Sequence, residues 1–279
     1  MYYRLSEVLP ADLCAGVESE RWWKVPEWAF QPDAWTHAFL RGLRKTTLGQ
    51  SVWEVGCGSG VVSFSLHQFF PLSEVYFSDF DLRCTEIAVE NLAGGKVLPS
   101  RFHPLYGQWD LVTHERFRPP KVDAVVACIP QVPAPSDLVL GEADSLAHYY
   151  DPTGVGREGE WNALGLGLNF ALLRQAKGVL NSGGKVVLNL GGRPGLPRLQ
   201  EMFQSAGFAP RVIHEEVIIQ HAGTSLVPLA SMEGDGKQDF EFFADFDARE
   251  CINARIAEAR RVRGETLYHK IYVIEGTMA

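Results

Sequence analysis

The feature that most constrains this chain is an apolar strand that runs directly into a glycine-rich turn. Residues 52–60 read Val-Trp-Glu-Val-Gly-Cys-Gly-Ser-Gly, and a helical pattern over 61–70 follows at once. Glycine permits the positive-φ turn and the close backbone approach that a bound ligand needs, and the start of a helix presents unpaired N–H groups. The expected ligand-binding residues of this loop are Glu54, Gly56, Gly58 and Gly60.

The order of residues in the loop narrows the kind of ligand. The loop reads E-x-G-x-G-x-G, whereas dinucleotide-binding folds carry G-x-G-x-x-G. Because its acid precedes the glycines, the loop suits a cationic ligand that carries an amino acid better than it suits a pyrophosphate. It resembles motif I of class I methyltransferases, which implies S-adenosyl-L-methionine (SAM) as the cofactor, S-adenosylhomocysteine as its product, and no metal.

Short β-rich apolar runs alternate with helical patterns along the chain, and this alternation is typical of a mostly parallel sheet. The predicted strands are 51–56, 74–79, 101–105, 122–129, 185–190, 211–220 and 267–274. The predicted helices between them are 61–70, 82–92, 164–180 and 196–206, and Gly207 closes the last as a C-terminal cap. The fold class is therefore α/β: a Rossmann-like class I methyltransferase with a seven-stranded, mostly parallel sheet, helices on both faces and an N-terminal helical extension.

Two segments stand apart from this pattern. Residues 1–48 crowd aromatic side chains among prolines; they are predicted to form either a cap on the cofactor side or a helical extension that covers a sheet edge. Residues 49–279 form the predicted SAM-dependent methyltransferase domain. Within it, 131–162 is rich in Pro, Asp and Gly, and we expect a substrate-side loop there because loops of that length are usually functional.

Composition restricts the partners. The net charge is -8, and an acidic chain without an aromatic and basic stripe disfavours nucleic acid and favours a small-molecule substrate. No apolar run approaches the roughly 20 residues that span a bilayer, so we expect no membrane contact. Five scattered cysteines without a C-x-x-C pair predict a reducing compartment, the cytoplasm. Eight dispersed histidines offer no metal-ligand spacing, and the sequence leaves a homo-oligomer open.

Further cofactor contacts are expected where the next strands end. Asp79 follows the second strand; it is predicted to accept both ribose hydroxyls while Phe80 covers the adenine, unless Asp79 or Asp81 caps the next helix. Gln108 and Trp109 follow the third strand on the usual adenine side, with a plain core role open for Trp109. Cys128 and Ile129 end the fourth strand, where ligands of open α/β sheets bind.

The residues after the fourth strand separate two classes of acceptor. Amino-methyltransferases of the N-P-P-Y type carry Asn-Pro-Pro-Tyr at this place, and its polar oxygens hold a nitrogen nucleophile. Residues 128–131 here read Cys-Ile-Pro-Gln, without the Asn or the aromatic residue. That difference argues against methylation of a protein glutamine or an adenine.

The segment Cys-Ile-Pro-Gln resembles the corresponding segment of the methionine S-methyltransferase family. Other segments are similar to that family over nearly the whole chain: 25–26, 32–35 and 41–43 before motif I, and 164–168, 189–195 and 240–243 after it. The plant members continue into a large aminotransferase-like region, so the chain is most similar to the short bacterial form. The resemblance implies S-methylation of L-methionine to S-methyl-L-methionine, as the first step of a route to dimethylsulfoniopropionate.

That reaction assigns roles to residues of this chain. Methyl transfer from a sulfonium to a thioether releases no proton, so the site must align two sulfurs and tolerate positive charge. The predicted catalytic residues are Gln131, Tyr149, Tyr150 and Asn162. The predicted substrate-binding residues are Pro130, Glu160, Trp161 and Arg193. Arg193 is expected to bind the substrate carboxylate, with an exposed turn residue as the alternative, and Glu160 or Asp144 the ammonium.

Three other functions stay open at this stage. An N-methyltransferase acting on a protein glutamine or a small amine would share the fold and the cofactor. A SAM-binding module without catalysis would retain Glu54, the three glycines and Asp79. An RNA-modifying enzyme is disfavoured by the acidic charge.

Overall fold

A computed structural model of the 279-residue chain describes residues 1–14, 18, 20–107, 111–113, 120–131, 159–234 and 239–278. The strands are β1 (Tyr2–Arg4), β2 (Trp22–Lys24), β3 (Ser51–Val55), β4 (Glu74–Ser78), β5 (Phe102–Pro104), β6 (Val122–Ala127), β7 (Leu180–Gly191), β8 (Phe208–Ile219), β9 (Phe242–Phe243), β10 (Cys251–Ile252) and β11 (Tyr268–Met278).

The α-helices are α1 (Leu5–Val8), α2 (Ala34–Leu43), α3 (Val61–Phe69), α4 (Leu82–Ala93), α5 (Glu160–Ala163), α6 (Gly167–Ala176), α7 (Leu196–Ser205), α8 (Val227–Gly234) and α9 (Ala254–Val262). A 3₁₀ turn covers Ala11–Leu13. Over the described ranges, no helix is long and apolar enough to cross a membrane.

All seven predicted strands form and lie in one sheet of order β10-β9-β11-β7-β6-β3-β4-β5, with β8 also paired to β11. Strands β5, β4, β3, β6 and β7 run parallel, and β11 runs antiparallel to both β7 and β8. Val55 lies opposite Ser78 on one side and Ala127 on the other. Three strands therefore end level, and the loops after them meet at one edge of the sheet.

One predicted helix differs from the structure for a local reason. The helix predicted over 164–180 forms over a shorter range, as α6 (Gly167–Ala176), because Gly165 has a φ of 76°, which no helix continues, and because β7 already begins at Leu180. Residues 181–184, Asn-Ser-Gly-Gly, lie inside β7, where the pairing with β6 shifts register between Val122 and Ala124. A register shift of this kind is accommodated as a bulge within the strand.

The N-terminal segment shares its core with the rest of the chain. Its residues Trp23 and Phe39 are fully buried in one cluster with Val52, Phe64 and Phe77. The strand β2 is also tied to α4, because the Lys24 N–H donates to Asn91 Oδ1 over 2.8 Å and Asn91 Nδ2 donates back to the Lys24 carbonyl over 2.8 Å. Residues 1–48 thus pack as a continuation of the α/β core, and the division into a cap and a domain stays a prediction.

A long excursion of the chain, residues 220–267, separates strand β8 from its partner β11. The chain leaves β8 after Ile219, forms α8, β9, β10 and α9, and returns at Tyr268 to pair with β8 over the full length of β11. This excursion brings Leu229 and Phe240 to the edge of the sheet where β7 ends. Its placement decides the walls of the cleft described below.

Candidate active site

The glycine loop turns tightly over the end of β4. The N–H groups of Gly56 and Cys57 both donate to the Ser78 carbonyl, over 2.9 and 3.0 Å. Gly56, Gly58 and Gly60 have φ angles of 76°, 51° and 81°, in the left-handed region that favours glycine. The local sequence therefore fixes the turn that was predicted from its glycines.

Glu54 supports this loop from beneath. It is 3% exposed, and Ser63 in the first turn of α3 donates a hydrogen bond to its Oε2 through Oγ. Because the N-cap residue Gly60 has no side chain, Glu54 supplies the acceptor that a capping residue would provide. Burial raises the pKa of Glu54 to about 8. The structure thus gives Glu54 a supporting role, and direct cofactor contact stays a prediction.

Asp79 faces the glycine loop at the end of β4. Its Oδ2 accepts the Gly58 N–H over 2.9 Å and its Oδ1 accepts the Asp81 N–H over 3.0 Å. The helix cap belongs to Asp81, whose side chain accepts the Arg83 N–H. Asp79 therefore fixes the glycine loop against the start of α4, and its contact with a ligand hydroxyl stays a prediction. Phe80 beside it is 45% exposed.

The space around the loop fits the cofactor. A Cβ atom on Gly58 would meet nothing within 4 Å, so the loop backbone borders open space. A Cβ on Gly56 would lie 2.9 Å from Ile129 Cγ2, so the loop and the end of β6 approach as closely as glycine allows. Open space above one glycine and a close contact beneath another form a cradle for a ligand that lies across the ends of β3, β4 and β6.

The end of β6 is joined to β7 by Asn189. Its Nδ2 donates to Cys128 Sγ over 3.2 Å and to the Trp35 carbonyl over 2.9 Å. Burial raises the pKa of Cys128 to about 12. The side chain therefore stays a thiol at neutral pH, and a thiol is a far weaker nucleophile than a thiolate.

Gln131 clamps the turn that follows β7. Its Nε2 donates to the Gly191 carbonyl over 2.9 Å, and its Oε1 accepts the Gly191 N–H over 2.8 Å. Both ends of the amide are thus used on the backbone of one residue, Gly191. The predicted catalytic role of Gln131 stays untested, and the geometry indicates a positioning role through this double hydrogen bond.

Backbone hydrogen bonds hold Arg193 within the same turn. The Gly192 N–H donates to the Lys270 carbonyl over 2.7 Å, the Gly195 N–H to the Gly192 carbonyl over 2.8 Å, and the Glu241 N–H to the Arg193 carbonyl over 2.8 Å. The turn is therefore rigid, which is what a side chain that orients a ligand requires.

The Arg193 side chain is half-buried in a cleft. The cleft is lined by Gln131, Leu164, Arg193, Pro194, Leu229 and Phe240. Burial lowers the pKa of Arg193 to about 10, so the guanidinium is still charged at neutral pH. Among the described residues, no carboxylate or other acceptor pairs with this guanidinium. A desolvated cation is costly without an anion beside it, which points to an anionic ligand.

Trp35 is the residue that several parts of the cleft share. Its ring lies 5.9 Å from Arg193 Cζ and 5.5 Å from the His269 ring, and a Cβ on Gly191 would lie 2.7 Å from its Cη2. Asp33, the N-cap residue of α2, accepts the Trp35 N–H over 2.8 Å and fixes the start of that helix. The N-terminal segment thus contributes an aromatic wall to the site.

The other predicted substrate residues are placed differently. Trp161 is 5% exposed and packs against Phe170, with Arg198 Cζ 5.8 Å from its ring, and Glu160 pairs with Arg198 over 3.8 Å. Asn162 is buried at 4% exposure, and the Pro130 carbonyl accepts Asn169 Nδ2 over 3.5 Å. The structure does not bring Glu160 or Trp161 to Arg193, and their substrate contacts stay predictions.

Five predicted residues lie outside the described residues: Gln108, Trp109, Asp144, Tyr149 and Tyr150. Sequence reasoning missed Asn189, His269 beside Trp35, and the cleft wall residues Leu229 and Phe240. Asn189 was within reach, because it lies near the end of a predicted strand. The others carry no local signal, since the antiparallel pairing and the excursion place them.

The fold is the Rossmann-like fold of class I methyltransferases, and residues 29–105 match the family model of the methyltransferase small domain. A solved methyltransferase from Pyrococcus furiosus shares the fold with a TM-score of 0.52 and 14% identity, covering 94% of this chain and 92% of that one.

The more particular likeness is to methionine S-methyltransferases. The Hordeum vulgare enzyme is 29% identical over 272 residues and the Arabidopsis thaliana enzyme 27% identical over 271 residues, each covering 88% of this chain. The chain spans about a quarter of these relatives' length, 24% and 25%. The resemblance that residues 128–131 and the later segments predicted is therefore confirmed.

Proposed function

We propose that the chain transfers the methyl group of SAM to the thioether sulfur of L-methionine, giving S-methyl-L-methionine and S-adenosylhomocysteine. The observation that carries the proposal is the guanidinium of Arg193, half-buried in a cleft at the carboxyl edge of the sheet and without a charge partner among the described residues. A guanidinium binds a carboxylate through two parallel hydrogen bonds, and the likeness to methionine S-methyltransferases supports methionine as the carboxylate's owner.

The walls of the cleft suit the rest of that substrate. Leu164, Leu229 and Phe240 are each at most 5% exposed, and they border the same cleft as Arg193. Apolar walls remove water from the thioether arm, and a dry site strengthens the ion pair at its head. Arg193 would anchor the carboxylate while the apolar wall directs the sulfur away from it.

The cofactor would be held by the glycine loop, by Asp79 and by the backbone at the end of β6. Bound SAM supplies a methyl group on a cationic sulfur. The chain's own task is to align the two sulfurs and to exclude water, which can contribute several kcal/mol to lowering the barrier. A thioether has no proton to lose, so no residue needs to act as a general base. The thiol of Cys128, protonated at neutral pH, does not compete with the thioether as an acceptor.

The proposal includes the biological setting that the resemblance implies. A cytoplasmic enzyme of a bacterium would use the reaction as the first step of a route to dimethylsulfoniopropionate. The small-amine N-methyltransferase and the SAM-binding module without catalysis are the alternatives that the experiment must separate.

The test is an incubation of purified protein with L-methionine and SAM labelled in its methyl group, followed by mass spectrometry of the products. We expect labelled S-methylmethionine. In Arg193→Gln, kcat/KM for methionine should fall by about 100-fold or more, since a charged hydrogen-bonded pair contributes about 1.5–3 kcal/mol and the variant leaves the substrate anion in a dry cleft.

The matched control is Arg174→Gln, which removes an exposed arginine on α6 and should change neither turnover nor KM. The affinity for S-adenosylhomocysteine, measured by calorimetry, should be the same in both variants. An unchanged methionine KM in Arg193→Gln would remove Arg193 from the substrate site. Cofactor binding without labelled product would reject methionine, and labelled product from small amines in its place would support the N-methyltransferase.

A further inference from the structure

Two buried polar side chains lie on one face of the β8–β11 ribbon. His269 pairs with Ile218 across the ribbon, and the Gln220 N–H donates to the Leu267 carbonyl over 2.8 Å, which extends the pairing by one residue. Paired residues of antiparallel strands point to the same face, and so do residues two apart along a strand. His269, Ile218 and Gln220 therefore share a face, and α2 packs on it through Ala38 and Trp35.

Within the described residues, neither side chain has a full set of hydrogen bonds, although Gln220 Nε2 donates to the His221 carbonyl over 3.4 Å. His269 is 2% exposed and Gln220 is 5% exposed. Both ring nitrogens of His269 and the Oε1 of Gln220 have no hydrogen-bond partner. Buried polar atoms almost always have partners, because leaving one unpaired costs about 1–3 kcal/mol. Three unpaired atoms on two diagonal neighbours therefore indicate a group that is bound there during function.

His269 and the Arg193 guanidinium share one neighbour, Trp35. The Trp35 ring contacts both sides: its centre is 5.5 Å from the His269 ring and 5.9 Å from Arg193 Cζ. Burial, and then the charge of Arg193, hold the pKa of His269 well below its usual range. At neutral pH His269 is thus an uncharged imidazole with one nitrogen lone pair to offer.

We infer that His269 and Gln220 bind the ammonium group of the methyl acceptor. The acceptor class is then an α-amino acid with a thioether arm, and this specificity rests on the proposed function. The guanidinium of Arg193 takes the carboxylate, and the lone pair of His269 and the amide oxygen of Gln220 accept hydrogen bonds from the ammonium. A zwitterion places both charges on one carbon, so the two halves of the site must lie close together. Trp35 contacts both halves, and the charge of Arg193 acts on His269.

A pair of substrates that differ only in the amino group tests the inference. L-Methionine is compared with 4-(methylthio)butanoate, which keeps the carboxylate and the thioether. We expect the wild-type protein to prefer methionine by about 100-fold in kcat/KM, since a site built to hydrogen-bond a group rejects analogues that lack it. In His269→Leu and in Gln220→Leu this preference should fall by about tenfold each.

Folding and the cofactor provide the internal controls. The Tm of His269→Leu should stay the same or rise, because an apolar side chain replaces an unpaired polar one. Binding of S-adenosylhomocysteine should not change. His221→Leu and Gln204→Leu, which alter exposed residues of the same types, should keep the wild-type preference.

Each other outcome is decisive. Equal methylation of both compounds by the wild type would overturn the ammonium site and leave the proposed function intact. A preference that both variants retain would also overturn it, since the two side chains would then hold only water. If neither compound is methylated, the proposed function fails. Calorimetry in the presence of S-adenosylhomocysteine then decides: equal or absent binding of methionine and the butanoate overturns the inference as well.

Discussion

The two halves of the candidate site are built in opposite ways. The cofactor half comes from residues close together in sequence, 54–60 and 78–81, and its carboxylates already accept hydrogen bonds from the protein. The acceptor half draws Trp35, Gln131, Arg193 and His269 from distant parts of the chain. Its cation and its imidazole have no partner within the described residues.

This difference indicates what each half does before a ligand arrives. A loop whose polar groups are paired is stable by itself, and substitutions in it act on folding and on the cofactor together. A cleft that contains unpaired polar groups is destabilising by itself and is stabilised by the rest of the fold. Substitutions of those groups should change ligand binding alone. Variants of the acceptor half that also destabilise the fold would contradict the comparison.

The largest effect is expected on the cofactor side. Asp79→Ala removes the acceptor that orients Gly58, and it also removes the carboxylate proposed to receive the ribose hydroxyls. Affinity for S-adenosylhomocysteine should fall by about 100-fold, which corresponds to about 2.7 kcal/mol for hydrogen bonds to a charged group. Calorimetry measures this change.

Asp81→Asn is the matched control, because Asp81 caps α4 two residues away. An asparagine caps a helix nearly as well as an aspartate, so both the Tm and the affinity for S-adenosylhomocysteine should stay close to those of the wild type. Equal losses of affinity in the two variants would mean that Asp79 acts only on the local fold.

An intermediate effect is expected on the pH dependence of stability. Burial raises the pKa of Glu54 to about 8 from its usual 4.5. Between these two values the unfolded chain releases the proton and the folded chain keeps it, so the free energy of unfolding should fall as pH rises, by up to about 1.4 kcal/mol per pH unit. Glu54→Gln should remove this contribution.

Urea unfolding at pH 5, 6, 7 and 8 measures the slope. Glu86→Gln, on the exposed face of α4, serves as the control and should keep the wild-type slope. If Glu54→Gln also kept it, the buried carboxylate would be ionised in the folded protein, with a cation among its neighbours.

The smallest effect is expected at the clamp of the acceptor half. Gln131→Leu removes both hydrogen bonds to Gly191 and loosens the turn that carries Arg193. The methionine KM should rise by about three- to tenfold, in line with about 1 kcal/mol for the loss of orienting hydrogen bonds. Binding of S-adenosylhomocysteine should not change.

Gln68→Leu, an exposed position on α3, is the control for loss of a glutamine. A large drop in kcat with an unchanged KM would show that Gln131 acts on the transferring methyl group. That result would restore the catalytic role predicted from the sequence and would place Gln131 with the cofactor half.

The predictions that succeeded are those with a short sequence range. The helices after the glycine loop and after Asp81 begin at the predicted residues, Val61 and Leu82, because the loop glycine and the capping aspartate act within two residues. The helix predicted over 164–180 forms only over Gly167–Ala176, since its apolar spacing continues through Gly165 while the helical backbone does not. Apolar periodicity reports burial, and it does not report the φ angle that ends a helix.

The sequence alone therefore determined the sheet, the glycine loop, the acid after β4 and the methyltransferase resemblance, because each depends on neighbouring residues. Only the tertiary structure decided three contacts: both ends of the Gln131 amide bind Gly191, Trp35 contacts both Arg193 and His269, and Phe240 reaches the cleft. These contacts join residues up to 234 positions apart, as from Trp35 to His269. Chain folding sets such distances through strand pairing and packing, and no local pattern of residue types carries that information.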